Sequence, residues 1–316
     1  MLLWESHQNG NHYALKKAGG SRRLYRNRVF HSQCHLSRIA NGGVWDMLWL
    51  PCFMRYHPQS KNKKPTRILL LGVGLGASLV KLRTFMPDAF ITAIDIDSIH
   101  MRLAKSLTKE NASFLKRKQS FKNLTFVRGD AIVWLRSYRG PPFDIIVDDL
   151  FIDGDSANGC TEISADPCRV IALNEIPTVD KGNKKSNKSW LSLLHSNLNQ
   201  RGVLIANCES ARTVTDGYKA WSRFSTQNRG VALRTEHYEN RVAVFTKCTG
   251  SKAVVKKGLA VKGRLNDVGF NRADWLESSN KAILESDWAE QSQKSPSVLL
   301  RELGKLFAGI KIRKYA

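Results

Sequence analysis

No apolar run in these 316 residues approaches the ~20 needed to cross a bilayer. The longest, Ile68 to Leu75 and Phe143 to Phe151, are interrupted by glycines or aspartates, so no membrane association is expected. The opening Met1-Leu2-Leu3-Trp4-Glu5 lacks a basic stretch, a long apolar stretch and a small-residue cleavage site. That predicts no secretory signal and a cytoplasmic protein. Patterned cysteine is missing as well. Cys34, Cys52, Cys160, Cys168, Cys208 and Cys248 are scattered, with no CxxC pair and no neighbouring His cluster. This argues against a disulfide framework or a zinc site and for reduced, structural thiols, with no metal expected. Acidic residues are scarce: 27 Asp and Glu stand against 50 Lys and Arg, a net charge of +23.

What remains is ordinary globular material, 42% apolar and 24% charged, which excludes wholesale disorder. The charge excess is spread along the chain. There are 11 basic residues against 2 acidic before Arg67, 26 against 18 from Arg67 to Thr249, and 13 against 7 beyond. Clusters such as Arg22-Arg23-Leu24-Tyr25-Arg26-Asn27-Arg28 and Lys61-Asn62-Lys63-Lys64 would suit RNA or an acidic protein; solvated lysines without a specific partner are the plainer alternative.

Up to about Leu36 short apolar runs alternate with Asn9-Gly10-Asn11 and Gly19-Gly20, the chemistry of tight hairpins, which predicts a small β-layer. Val44 to Met54 has helical spacing, and Lys61 to Pro65 is a basic linker. Strands are then expected at Arg67–Leu71, Phe90–Ile94, Asn123–Val127, Phe143–Val147 and Gly202–Asn207. The helical patterns between them are Ser78–Phe85, Ile99 to about Lys118, Ala131–Ser137 and Trp190–Leu198. Such alternation makes parallel β-α-β crossovers. Residues 152–189 break the rhythm and suggest a lid or a disordered loop. After a helix over Thr213–Phe224, the runs Val231–Tyr238 and Arg241–Lys247 are too close for a parallel crossover and must form an antiparallel hairpin. Beyond Gly250 lies a basic stretch with helix-like segments at 273–290 and 298–307, which reads as an appendage.

Three features carry chemistry. Gly72, Gly74 and Gly76 make a turn between strand and helix where the backbone can approach a ligand, and Asp95 ends the next strand about 20 residues on, where a carboxylate can accept from ribose hydroxyls. The alternative is a turn that closes helix onto sheet, with Asp95 as a cap. Asp130 follows the third strand and suits either an adenine amine or an N-cap for the next helix. Asp149 follows the fourth. Carboxyl ends of successive strands are where open α/β sheets bind ligands. His100, His195 and His237 stand alone and read as core or surface residues.

Gly72-Val73-Gly74-Leu75-Gly76, Asp95-Ile96-Asp97, Gly129-Asp130-Ala131 and Phe143 through Asp149 resemble the nucleoside-binding motifs of the spermidine-synthase-like branch of class I S-adenosylmethionine-dependent transferases. Leu24 to Val29, Trp45-Asp46-Met47 and Asn240 to Phe245 extend the likeness to residues 2–247. The resemblance implies an α/β fold: a Rossmann-like seven-stranded class I methyltransferase sheet over 61–249, a small N-terminal β-domain over 1–60, and a basic tail over 250–316. It implies an S-adenosyl compound held by Gly72, Gly74, Gly76, Asp95, Ile96, Asp130, Ala131 and Asp148. Homodimers are common in the family. Polyamine synthases carry an Asp-Ser-Ser-Asp-like segment after the fourth strand, whose second Asp serves as base. With Asp148 in the first place, Phe151 falls where that base belongs, and a phenylalanine accepts no proton. The Asp-Leu-Phe form is similar to methyltransferase-like relatives. The expected activity is therefore methyl transfer from S-adenosyl-L-methionine to an amine of a small molecule or protein, with Asp149 orienting it. Aminopropyl transfer from decarboxylated S-adenosylmethionine, with Asp149 or Asp153 as base, is the alternative, and a non-catalytic scaffold is the third.

Overall fold

In the computed structural model the described residues are 5–8, 11–26, 29–36, 38, 43–55, 64–114, 122–153, 168–170, 189–208, 210–225, 228–235, 238–247, 301, 305 and 310–315. Four antiparallel strands open the chain: β1 (Glu5–Gln8), β2 (Asn11–Ala18), β3 (Ser21–Arg26) and β4 (Val29–His35), paired in that order. Gly19, at φ +51°, turns the chain between the paired residues Ala18 and Ser21. Leu24, Cys34 and Leu36 are buried against Leu75, Ala77, Val80, Ile99 and Leu107, so the inner face of this layer lies on the larger domain. A charged clamp joins them too: Arg22 Nε donates to both carboxylate oxygens of Glu110, at 3.1 and 3.2 Å. Helix α1 (Val44–Trp49) follows, with buried Asp46 accepting from the Gly43 N–H and the Trp49 indole. The predicted single helix over 44–54 is split, because Pro51 turns the rest, Leu50–Met54, into a 3-10 turn.

The main sheet begins at β5 (Arg67–Leu71) and continues through α2 (Ala77–Phe85), β6 (Phe90–Asp95), α3 (Ser98–Phe114), β7 (Leu124–Arg128), α4 (Ala131–Ser137) and β8 (Phe143–Asp148). Two three-residue strands, β9 (Phe151–Asp153) and β10 (Cys168–Val170), pair with each other. Then come α5 (Trp190–Ser196), β11 (Leu198–Cys208), α6 (Ala211–Ser222), β12 (Arg229–Arg234) and β13 (Arg241–Thr246). Seven of these strands run in the order β12-β13-β11-β8-β5-β6-β7, with β13 alone antiparallel to its neighbours. The expected hairpin is present, its connector lengthened to residues 235–240. β5 is central and buried on both faces: Ile68 and Leu70 join one core with α1 and α2, Leu69 and Leu71 the other with α4, α5 and α6.

The C-terminal segment is more than an appendage. β14 (Lys311–Tyr315) pairs antiparallel with β12 and adds an eighth strand at the edge, anchored by buried Ile310. The expected lid over 152–189 and the helical stretches at 273–290 and 298–307 fall largely outside the described residues. Cys34, Cys52 and Cys208 are free, buried thiols. No helix among the described residues is long and apolar enough to cross a membrane, and no group of three or more His, Cys, Asp or Glu among them could hold a metal ion.

Candidate functional site

Beyond Leu71 the chain bends through three glycines in the left-handed region: Gly72 at φ +77°, Gly74 at +51° and Gly76 at +86°. Two of them are also needed for close approach. A Cβ on Gly72 would lie 2.2 Å from the Asp149 carbonyl oxygen, and one on Gly76 would lie 2.8 Å from Ala104 Cβ. The turn is thus pressed against the end of β8 and against α3 at once.

Its amides have a resident acceptor. The N–H groups of Val73 and Gly74 donate to Asp95 Oδ2 at 2.8 and 3.1 Å, with His100 Nδ1 3.3 Å from the same oxygen and the Asp97 N–H donating to Oδ1 at 2.9 Å. Burial of Asp95 opposes its charged form, but the hydrogen bond and charge of His100 and the Asp97 and Val73 N–H donors outweigh it and hold the carboxyl below its usual range. Dinucleotide sites leave the amides of such a turn to a pyrophosphate. Here a carboxylate already fills that role, so the bend suits a ligand without phosphates. His100 belongs to the site as the partner of Asp95, a link its isolation in sequence did not signal.

Asp130 caps α4, one of its two expected roles: its Oδ1 accepts from the Ile132 and Val133 N–H groups at 2.7 and 3.1 Å. Among the described residues Oδ2 has no hydrogen bond. Exposed apolar side chains gather on the same strand tips: Ile96 after β6 is 67% exposed, Val133 on α4 47%, and Phe151 after β8 41%. Ala131 is buried with the core, which leaves its backbone rather than its side chain to meet a ligand.

The two neighbouring aspartates at the end of β8 differ. Asp148 is 3% exposed and accepts the Trp190 indole N–H at 2.7 Å; burial pushes its carboxyl up to about 6 against the bonds from Trp190 and the Leu150 N–H. Asp148 is thus tied to the packing of α5 through Trp190. Asp149 backs onto the glycine turn, its N–H donating to Leu71 O at 2.8 Å. Its Oδ1 accepts from Asn207 Nδ2 at 2.8 Å, and Asn207 Oδ1 accepts from Asn240 Nδ2 at 3.0 Å. Burial raises the Asp149 carboxyl to about 7, helped by the charges of Asp148 and Asp95 and opposed by the Asn207 bond.

Asn207 and Asn240 were not anticipated as site residues. Asn207 lies one residue before the end of β11, near the same sheet edge as the aspartates, a position that was readable, but its tie to Asn240 depends on the antiparallel pairing of β13. The same connector carries Tyr238, set edge-on to Trp45 of α1 at 5.9 Å between ring centroids. His195 lies elsewhere, at the amino end of β11, stacked on Phe224 and edge-on to Trp221. His237 falls outside the described residues.

No protein-family model and no curated protein matches the chain. Solved structures do. A probable spermidine synthase from Corynebacterium glutamicum superposes with a TM-score of 0.55 at 11% identity, over 90% of this chain and 88% of that one. Spermidine synthase from Thermotoga maritima gives 0.52 at 11% identity, over 96% and 88%. A spermidine synthase in complex with the transition-state analogue AdoDATO gives 0.51 at 13% identity, over 96% and 87%. At these identities the likeness is one of fold, and it reaches from the N-terminal layer through the sheet. The chain therefore has the spermidine-synthase-like fold of class I S-adenosylmethionine-dependent transferases.

Proposed function

We propose that this chain is a class I S-adenosylmethionine-dependent transferase that methylates an amine on a small molecule or a protein. The observation that carries the reading is the placement of Asp149: its backbone carbonyl lies against the glycine turn, one carboxyl oxygen is fixed by Asn207, and burial raises that carboxyl to about 7. A base is most effective when its own titration lies near the working pH.

The residues fit a nucleoside. The bend at Gly72, Gly74 and Gly76 offers no free N–H at Val73 or Gly74 for a phosphate. Asp95 keeps acceptor capacity on Oδ1 for ribose hydroxyls, Asp130 keeps Oδ2 for an adenine amine, and Ile96 and Val133 offer apolar surface for the base. When bound, S-adenosylmethionine supplies a methyl carbon on a positively charged sulfur that departs as a neutral thioether. The chain's own part is to hold the two reactants in line and to unmask the amine lone pair. Asp149 Oδ2 accepts one proton from the acceptor ammonium, while Asn207 keeps the carboxyl from turning away.

One observation favours the second reading, aminopropyl transfer from decarboxylated S-adenosylmethionine: the three similar structures above are spermidine synthases. Against it stands Phe151, exposed where a polyamine synthase would hold its base with Asp148 in the first place. Calorimetric titration with both sulfonium nucleosides tests the proposal. Tighter binding of the carboxylated form is expected. Preference for the decarboxylated form would support the second reading, and binding of neither would leave a scaffold that meets RNA or an acidic partner through its basic surface.

A further inference from the structure

Gly72 and Asp149 meet backbone to backbone, so a ligand seated in the glycine turn would adjoin the residue that bears this carboxyl. One oxygen of that carboxyl is committed. Asn207 donates to Oδ1, and the Asn207 amide is held in that orientation because Asn240 donates to its own oxygen. A proton on Asp149 therefore sits on Oδ2, the oxygen left for a substrate. The charged groups acting on it, among the described residues, are Asp148 at the end of β8 and Asp95 at the end of β6, both acids, with His100 of α3 bonded to Asp95. Asn207 of β11, Asn240 of the connector before β13 and Gly72 after β5 bring no charge. Asp149 is half-buried beside buried Asp148 and Asp95, and neighbouring carboxyls shielded from water favour the neutral form of one of them.

On the reading just given, we propose that Asp149 responds to the charge of the nucleoside beside it: neutral acid in the free protein, carboxylate when a sulfonium is bound, and neutral acid again when the thioether takes its place. The proton ledger closes. Binding of the cation releases the Oδ2 proton to solvent. The carboxylate then takes a proton from the acceptor ammonium. The amine lone pair forms the N–C bond as the C–S bond breaks, the bonding pair staying on sulfur. Asp149 is left protonated beside a neutral thioether, its resting state, and the base is switched on only when a methyl donor is present.

S-adenosylmethionine and S-adenosylhomocysteine share their adenosine, carboxylate and ammonium groups, so a comparison of the two isolates the sulfonium charge. The test is titration calorimetry of the full-length protein with each, at about pH 6.5, in two buffers of different ionisation enthalpy. A free carboxyl of ordinary acidity is already ionised there. Proton release is expected with the sulfonium and not with the thioether, and the difference should vanish in Asp149→Asn. The wild-type protein gives a second readout that needs no variant: from about pH 8 to about pH 6 the sulfonium Kd should rise toward tenfold per pH unit while the thioether Kd stays level. Equal proton uptake or release with the two ligands, or parallel pH profiles, would overturn the inference while leaving nucleoside binding intact. If neither ligand binds, the nucleoside reading falls first and this one with it.

Discussion

Asp95 carries two tasks that separate on mutation. Its carboxylate anchors the amides of Val73 and Gly74, and on the proposed function it also accepts from a ribose. Asp95→Ala should weaken S-adenosylhomocysteine binding about 10- to 100-fold, the equivalent of ~1.5–3 kcal/mol for hydrogen bonds to a charged group. It should also speed hydrogen exchange at Val73 and Gly74, a loss that calorimetry alone would not reveal. Asp149 has a signature in stability. Its folded carboxyl, raised to about 7, holds a proton that the unfolded chain sheds near its ordinary value of ~3.9. The associated stability is complete below about pH 4 and disappears as pH rises through about 7. Asp149→Asn should therefore gain on the wild type between pH 5 and pH 8, measured by denaturant unfolding at each. Asp148, raised to about 6, has the same sign and adds to the slope.

At the scale of elements, the glycine turn is where sequence and structure agree most closely. Strand, bend and helix were legible because an aliphatic run, three glycines and a periodic stretch follow without interruption, and β5 and α2 end at the predicted residues, Leu71 and Phe85. The physical need is now specific. Gly72→Ala would force a side chain into φ +77° and onto the Asp149 carbonyl, whereas Gly129 has open space around a would-be Cβ. A loss of about 1–3 kcal/mol is expected for the first and almost none for Gly129→Ala, read as a difference in melting temperature. Other elements were legible only in part. The helix over 44–54 was recognised by its apolar spacing, but spacing does not weigh the missing N–H and fixed φ of Pro51. Asp148 and Asp149 look alike in sequence; only the approach of Trp190 from α5, 42 residues away, separates the packed carboxylate from the available one.

For the whole molecule, seven strands and the closing hairpin follow from local pattern and connection rules, while the eighth strand does not. Lys311–Tyr315 is short and highly charged, and its strand character comes from pairing with β12, not from its own periodicity. Lys311 and Arg313 are exposed on this edge, where charge discourages further strand addition. Removing residues 309–316 should uncover the β12 edge and take Ile310 from the core. Light scattering should then report earlier aggregation on heating than in the full chain; an unchanged profile would mean that β12 needs no cover. The basic N-terminal layer was likewise only half readable. Its hairpins follow from turn chemistry, but its docking, through buried Leu24, Cys34 and Leu36 and through Arg22 meeting Glu110 across 88 positions, does not.

On the proposed function, adenosine sits at the tips of β5, β6 and β7 without engaging phosphate-binding amides. Amide spectra of isotope-labelled protein titrated with S-adenosylhomocysteine test it directly. The account predicts shifts concentrated at residues 72–76, 95–97 and 129–133, with no comparable response to ATP or NAD. Shifts scattered over the surface, or a stronger response of the turn to the phosphorylated ligands, would contradict it.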